Sequence, residues 1–181
     1  MFFNFFKNNR NKKAEEMGRD FFRVALNHAR ADFPDLFTSQ QPATEDPLRT
    51  QRFEAVALSM SVILWRLHNE TGTPDADKIA QMAHDSMFLS FDRSLREGGV
   101  GDIGVSHKIK KYAQAFYGRL NRYTKALDAK STDGLAEGLV KNMALDEKEA
   151  QKHAQQTTAW AEGLAQQSLN DILSQAKTQN H

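Results

Sequence analysis

The most chemically suggestive run in the sequence is Gly99-Val100-Gly101-Asp102-Ile103-Gly104, which fits the spacing G-x-G-x-x-G. In a dinucleotide fold those glycines turn the chain between a strand and a helix whose N-terminus faces a pyrophosphate. Here the residues ahead of the turn, Ile79, Met82, Ala83, Met87, Phe91 and Leu95, repeat at helical spacing. A helix, not a strand, therefore enters the glycines, and no NAD or FAD is expected. The stretch Gly98 to Gly104 reads instead as a low-bulk connection between two helices with exposed amides. Asp102 in its middle either ties those amides down or joins the bare backbone in a recognition surface.

Other catalytic chemistry finds no support. The absence of cysteine removes thiolate nucleophiles, redox motifs and zinc or iron–sulfur ligation. The histidines, His28, His68, His84, His107, His153 and His181, fall one per segment without the spacings that put two ligands on one helix face, so neither metal nor haem is expected. No G-x-S-x-G and no visible nucleophile, base and orienter set is present. With 24 Lys+Arg against 23 Asp+Glu the net charge is +1, which excludes the global field of a DNA-binding domain. Any electrostatic function must be local.

One such local feature follows the glycines. Ser106 is placed to cap a helix whose apolar stripe is Ile109, Tyr112, Ala113, Phe116, Leu120, Tyr123 and Leu127. His107, Lys108, Lys111, Arg122 and Lys125 fall on or around the opposite arc, Lys110 and Arg119 lie at its edges, and no acid interrupts the stretch from Ile103 to Leu127. Such a face is either simply solvated or a docking face for phospholipid, RNA phosphate or an acidic polypeptide. Gly118 inside this helix costs about 1 kcal/mol against alanine, for which close helix packing is the plain compensation, with Tyr117 and Arg119 presented on either side.

A second feature is the N-terminal segment, residues 1–13. Phe2, Phe3, Phe5 and Phe6 stand beside Lys7, Arg10, Lys12 and Lys13 with no acid. The order of apolar and basic residues is the reverse of a secretory signal, so export is not expected. Two readings fit: rings and cations at an anionic lipid surface, or phenylalanines packed on the domain's own flank.

The elements that position these residues are helical. Apolar residues recur at helical spacing from Glu15 to Ala31, a short turn is expected near Pro34 to Phe37, and Thr50 to Asn69 is apolar almost all round, which places it at the centre. Thr73-Pro74 with Asp75 and Asp77 signals a helix start. Two C-terminal helices are expected, Ser131 to Met143 and Asp146 to Lys177, the second opened by Asp146 and Glu149 at capping-box spacing. No alternating strand and no run long enough to span a bilayer is present. The expected fold is all-α, a single helical domain of about six helices over residues 14–177.

The run from Met87 through Asp92, Arg96, Glu97, Gly101 and Asp102 to Lys108, Lys110 and Lys111, closing on Phe116-Tyr117-Gly118-Arg119, resembles the ubiquinol–cytochrome c chaperone family. That family's signature is D-x-x-L-R-E-x-G-V-G-D-x-x-V-x-K-x-x-K followed by A-F-Y-G-R. Weaker similarity reaches Arg52-Phe53-Glu54 and Leu135 to Asn142, with Gln51, Ser59 and Gly98 standing where members carry other residues. The resemblance implies a bacterial assembly chaperone for cytochrome b of the bc1 complex, peripheral at the cytoplasmic face of the inner membrane. A small partner protein and the ribosome are further partners in the family's mitochondrial members. No catalytic residue, cofactor, DNA or small-molecule substrate comes with it. The expected partner surface comprises Asp92, Arg96, Glu97, Gly101, Asp102, Lys108, Lys111, Phe116, Tyr117, Arg119 and Arg122, and the expected membrane contacts are Phe2, Phe3, Phe5, Phe6, Lys7 and Arg10. The alternative is a peripheral membrane or ribosome/RNA-binding adaptor on the same scaffold.

Overall fold

The computed structural model describes the backbone of residues 2–38 and 47–178 and the side chains of residues 12–38 and 49–174. Eight helices follow one another: α1 (Phe2–Asp32), α2 (Pro34–Thr38), α3 (Pro47–His68), α4 (Ala76–Glu97), α5 (Asp102–Asp128), α6 (Thr132–Met143), α7 (Glu147–Ala165) and α8 (Leu169–Thr178). No strand occurs among the described residues. The all-α class is as expected, and the two additional helices are the short α2 and the break between α7 and α8.

The apolar run in the second quarter of the chain becomes the axis of the fold. From Phe53 to Ile63 every residue of α3 is buried, and α1, α2, α4, α5, α6 and α7 all pack against it. Ser59, Ser61 and Arg66, buried on this helix, are satisfied internally, as buried groups generally are. Ser61 Oγ donates to Ala57 O at 2.7 Å, and Ser59 Oγ meets His28 Nδ1 at 3.2 Å. Arg66 donates from Nε to Leu164 O and from Nη2 to Gln167 O, both at 2.9 Å, and pairs with Glu70 at 2.8 Å. The His28 ring stacks on Trp160 with centroids 3.6 Å apart, and Phe33 on His153 at 4.2 Å, joining the end of α1 to α7.

Several helix limits differ from the sequence pattern, each for a local reason. Helix α1 begins at Phe2, well ahead of the expected Glu15, so Phe2, Phe3, Phe5, Phe6, Lys7 and Arg10 belong to its first turns; their side chains lie outside the described residues. Helix α4 begins at Ala76, because Thr73 takes part in a turn that receives Ala76 N–H at its carbonyl and hydrogen-bonds Glu70 with its side chain, leaving no hydroxyl cap. Helix α5 begins at Asp102, with Gly101 as N-cap, so Ser106 lies within it and caps nothing. The helix expected over Asp146 to Lys177 is broken after Ala165: Arg66 captures the carbonyls of Leu164 and Gln167, and Ser168 starts α8 by accepting Asp171 N–H at 3.2 Å. Ser131 and Asp146 do cap α6 and α7, accepting from Gly134 N at 3.0 Å and Glu149 N at 2.8 Å.

Close helix contact occurs at glycines other than Gly118. A Cβ on Gly18 of α1 would stand 2.4 Å from Met82 Cβ and 2.7 Å from Ala83 N, and one on Gly138 of α6 would stand 2.7 Å from a Tyr123 ring carbon. Around Gly118 nothing lies within 4 Å. The expected packing over Gly118 is therefore corrected: that position is open. Gly18→Ala should lower unfolding free energy by about 1–3 kcal/mol through overpacking of α1 on α4. Gly118→Ala should raise it by roughly 0.5–1 kcal/mol through helix propensity alone. Urea denaturation of the two variants beside the parent checks both signs.

Candidate partner-binding surface

The glycine turn is built as a helix stop followed at once by a helix start. Val100 N–H donates to Leu95 O at 3.0 Å and Gly99 N–H to Arg96 O at 2.9 Å, the paired bonds of a Schellman motif, with Gly99 at φ +78°. Only glycine adopts that conformation without strain. Helix α4, not a strand, leads into the turn, so the G-x-G-x-x-G spacing lacks the context that binds a dinucleotide. Asp102, expected in the middle of a loop, sits instead in the first turn of α5, where its charge suits the positive helix end.

Arg96 bridges the turn. Its Nε donates to Asp92 Oδ2 at 2.5 Å and its Nη1 to Asp102 Oδ1, so three of the expected site residues form one cluster. The hydrogen bonds to Asp92 and then Asp102 hold the guanidinium still more firmly protonated than usual. Glu97 is exposed and outside the cluster, and Gly101 serves as the cap of α5.

Along α5 the expected contact residues divide. Phe116 is fully buried and packs edge-on to Phe88 at 5.9 Å; it is core and offers no surface. Arg119 turns inward to Glu54 of α3, with Nε 2.9 Å from Oε2 and Nη2 2.7 Å from Oε1, a two-pronged pair on a carboxylate only 1% exposed. Arg119 therefore holds the fold and is not a free cation. Lys111 and Arg122 are exposed, as are Lys110 and Lys125, while Lys108 is partly covered, and none of the five has an ion pair among the described residues.

Tyr117 stands 55% exposed at the lip of a groove between α3, α4 and α5 that sequence reasoning missed. The groove, about 530 Å³, is lined by the apolar Leu64, Ala80 and Leu120 together with Trp65, His84 and Tyr117. Tyr117 Oη and His84 Nε2 share a hydrogen bond of 3.1 Å, and Trp65 Nε1 donates to Asp128 Oδ1 at 2.8 Å. Two further large apolar side chains are open to solvent on the same pair of helices, Leu89 at 66% and Ile103 at 90%. Ile103 lies inside the glycine run, and its type alone was the signal available. No described helix is long and apolar enough to cross a membrane, and no group of three potential metal ligands occurs among the described residues.

The family profile described as ubiquinol-cytochrome C chaperone matches residues 47–178, the whole of α3 to α8 with the turn and both flanking helices. The chain belongs to that family. It is an assembly factor of the bc1 complex, a chaperone and not an enzyme. A solved structure described as the Cbp3 homolog from Brucella abortus is similar to it, with 28% sequence identity, a TM-score of 0.70, and coverage of 96% of this chain and 93% of that one. No curated protein sequence matches. The family's Arg-Phe-Glu segment thus includes the buried acid of the Glu54–Arg119 pair. Gln51, one of the positions departing from the family pattern, donates from Nε2 to Met143 O at 3.3 Å.

Burial raises the Glu54 pKa above its ordinary value of 4.5, with the hydrogen bonds and charge of Arg119 pulling the other way. A folded-state pKa above the unfolded one contributes stability at low pH that is lost as pH rises through the raised value. Arg119→Met removes the opposing pull and leaves a buried carboxylate alone. The variant should lose about 3–5 kcal/mol near pH 8 and distinctly less near pH 5, read from urea denaturation at the two pH values.

Proposed function

We propose that this assembly chaperone holds newly made cytochrome b on the surface formed by α4, the glycine turn and α5, at the inner face of the membrane into which cytochrome b is inserted. The observation that carries the reading is the placement of Leu89, Ile103 and Tyr117. Of the four large apolar side chains exposed among the described residues, three stand on these two helices. An apolar client segment is held by burying such residues, each worth roughly 1–2 kcal/mol when covered. The cations on α5, without an ion pair among the described residues, suit the anionic lipid surface beside the insertion site. They suit ribosomal RNA equally, which keeps a membrane or ribosome adaptor as the second reading. Arg96, bonded to both Asp92 and Asp102, ties α4 to α5 across the turn.

The test separates the two readings. A triple variant Leu89→Ser, Ile103→Ser, Tyr117→Ser, with unchanged circular dichroism, should reduce cytochrome b co-purification by about tenfold or more and lower the amount of assembled bc1 complex. Lys108→Glu, Lys111→Glu, Arg122→Glu should weaken sedimentation with anionic vesicles or ribosomes in a salt-dependent way. Full cytochrome b recovery with the apolar triple variant would reject the client surface. Loss only with the charge variant would favour the adaptor.

A further inference from the structure

A pocket of about 290 Å³ lies where helices α1 to α5 converge. Arg30 of α1, Arg49 and Arg52 of α3 and Arg93 of α4 line it, against one carboxylate, Glu97. Arg52 is committed, its Nε donating to Leu36 O of α2. Arg30, Arg49 and Arg93 have no ion pair among the described residues, and Glu97, four residues beyond Arg93, does not reach it. Nη1 of Arg49 is fully buried and has no hydrogen-bond partner among the described residues. A buried guanidinium N–H without an acceptor is a costly arrangement, and the groups that satisfy it best are the oxygens of a carboxylate or phosphate. Room for this guanidinium comes from the glycine turn: a Cβ on Gly98 would stand 2.9 Å from Arg49 Nη2.

The lining also carries apolar and aromatic residues. Phe53 stacks on Tyr112 with centroids 4.7 Å apart and meets Phe91 at 5.5 Å, and Leu26 also lines the pocket. A free inorganic anion leaves the apolar part of the lining wetted. A helical peptide, about 10 Å across, does not enter a space of 290 Å³. An ester-linked phosphate carrying hydrocarbon satisfies both parts, with its oxygens among the arginines and its first carbons on the rings.

We propose that this pocket binds the head group of an anionic phospholipid, its phosphate held by Arg49 with Arg30 and Arg93 and its glycerol and proximal acyl carbons lying on Phe53, Phe91 and Tyr112. The inference does not rest on the client reading. A soluble short-chain lipid keeps it separate from the basic face of α5, which binds vesicles by charge alone.

The experiment titrates the full chain with monomeric dihexanoyl phosphatidylglycerol, dihexanoyl phosphatidylcholine, inorganic phosphate and an oligoglutamate peptide, by calorimetry and by thermal shift. Phosphatidylglycerol should raise the melting temperature and bind at least about tenfold more tightly than each of the other three. Arg49→Met with Arg93→Met should cut that affinity by about tenfold or more, whereas Lys108→Glu with Lys111→Glu should leave it unchanged. Arg49→Met removes an unpartnered donor and keeps the hydrocarbon stem, so the unliganded variant should melt no lower than the parent. Arg93→Met alone, on an exposed side chain, gives the same direction of effect should the double variant fold poorly. Absence of binding, equal binding of phosphate or oligoglutamate, or full affinity in the arginine variants would overturn the proposal.

Discussion

A helix enclosed on all sides has nowhere to place a buried charge except against its neighbours, and two of the charged residues of α3 are buried. Glu54 is 1% exposed and Arg66 8%. Glu54 is met by Arg119 from α5, and Arg66 by the terminal carbonyls of α7 together with Glu70. The two charged residues are twelve positions apart, about 18 Å along the axis, so α5 and α7 are fixed against α3 at separate levels. Exchanging apolar side chains leaves a core soft to sliding. An ion pair of this kind does not slide, because breaking it strands a buried charge.

The rotation of α5 follows from that fixing. With Arg119 drawn in to Glu54 and Phe116 in the core, Lys111, Arg122 and Lys125 are turned outward and Tyr117 is held over the groove. The start of the helix is set independently, by the left-handed Gly99 and the Arg96 bracket on Asp92 and Asp102. Rotation and origin together decide which residues a partner meets, and neither is a property of α5 alone.

Periodicity made most of the fold legible. The stripes of α4 and α5, the central position of α3 and the caps at Ser131 and Asp146 depend on residues within a few positions of one another, which a sequence displays directly. The break between α7 and α8 was hidden because its restart, Ser168 with Asp171, lies within a continuing apolar pattern, and the carbonyls it frees are taken by Arg66 from about a hundred residues away. Gly18 and Gly118 look alike as letters. What separates them is Met82 of another helix against one and open space against the other. Arg119 had the same difficulty: it stands at the edge of its own stripe, and its partner is a lone acid inside the most apolar run of the chain. The groove and the arginine pocket each draw on three or more helices, so no local spacing announces them.

Helix α8 packs on α1, with Leu169, Ile172 and Leu173 all buried. Those residues are translated long after the stripe they cover. In a chain emerging from the ribosome, this flank of α1 stays wet until nearly everything else has been made, and the seam closes late because it joins the most distant described segments.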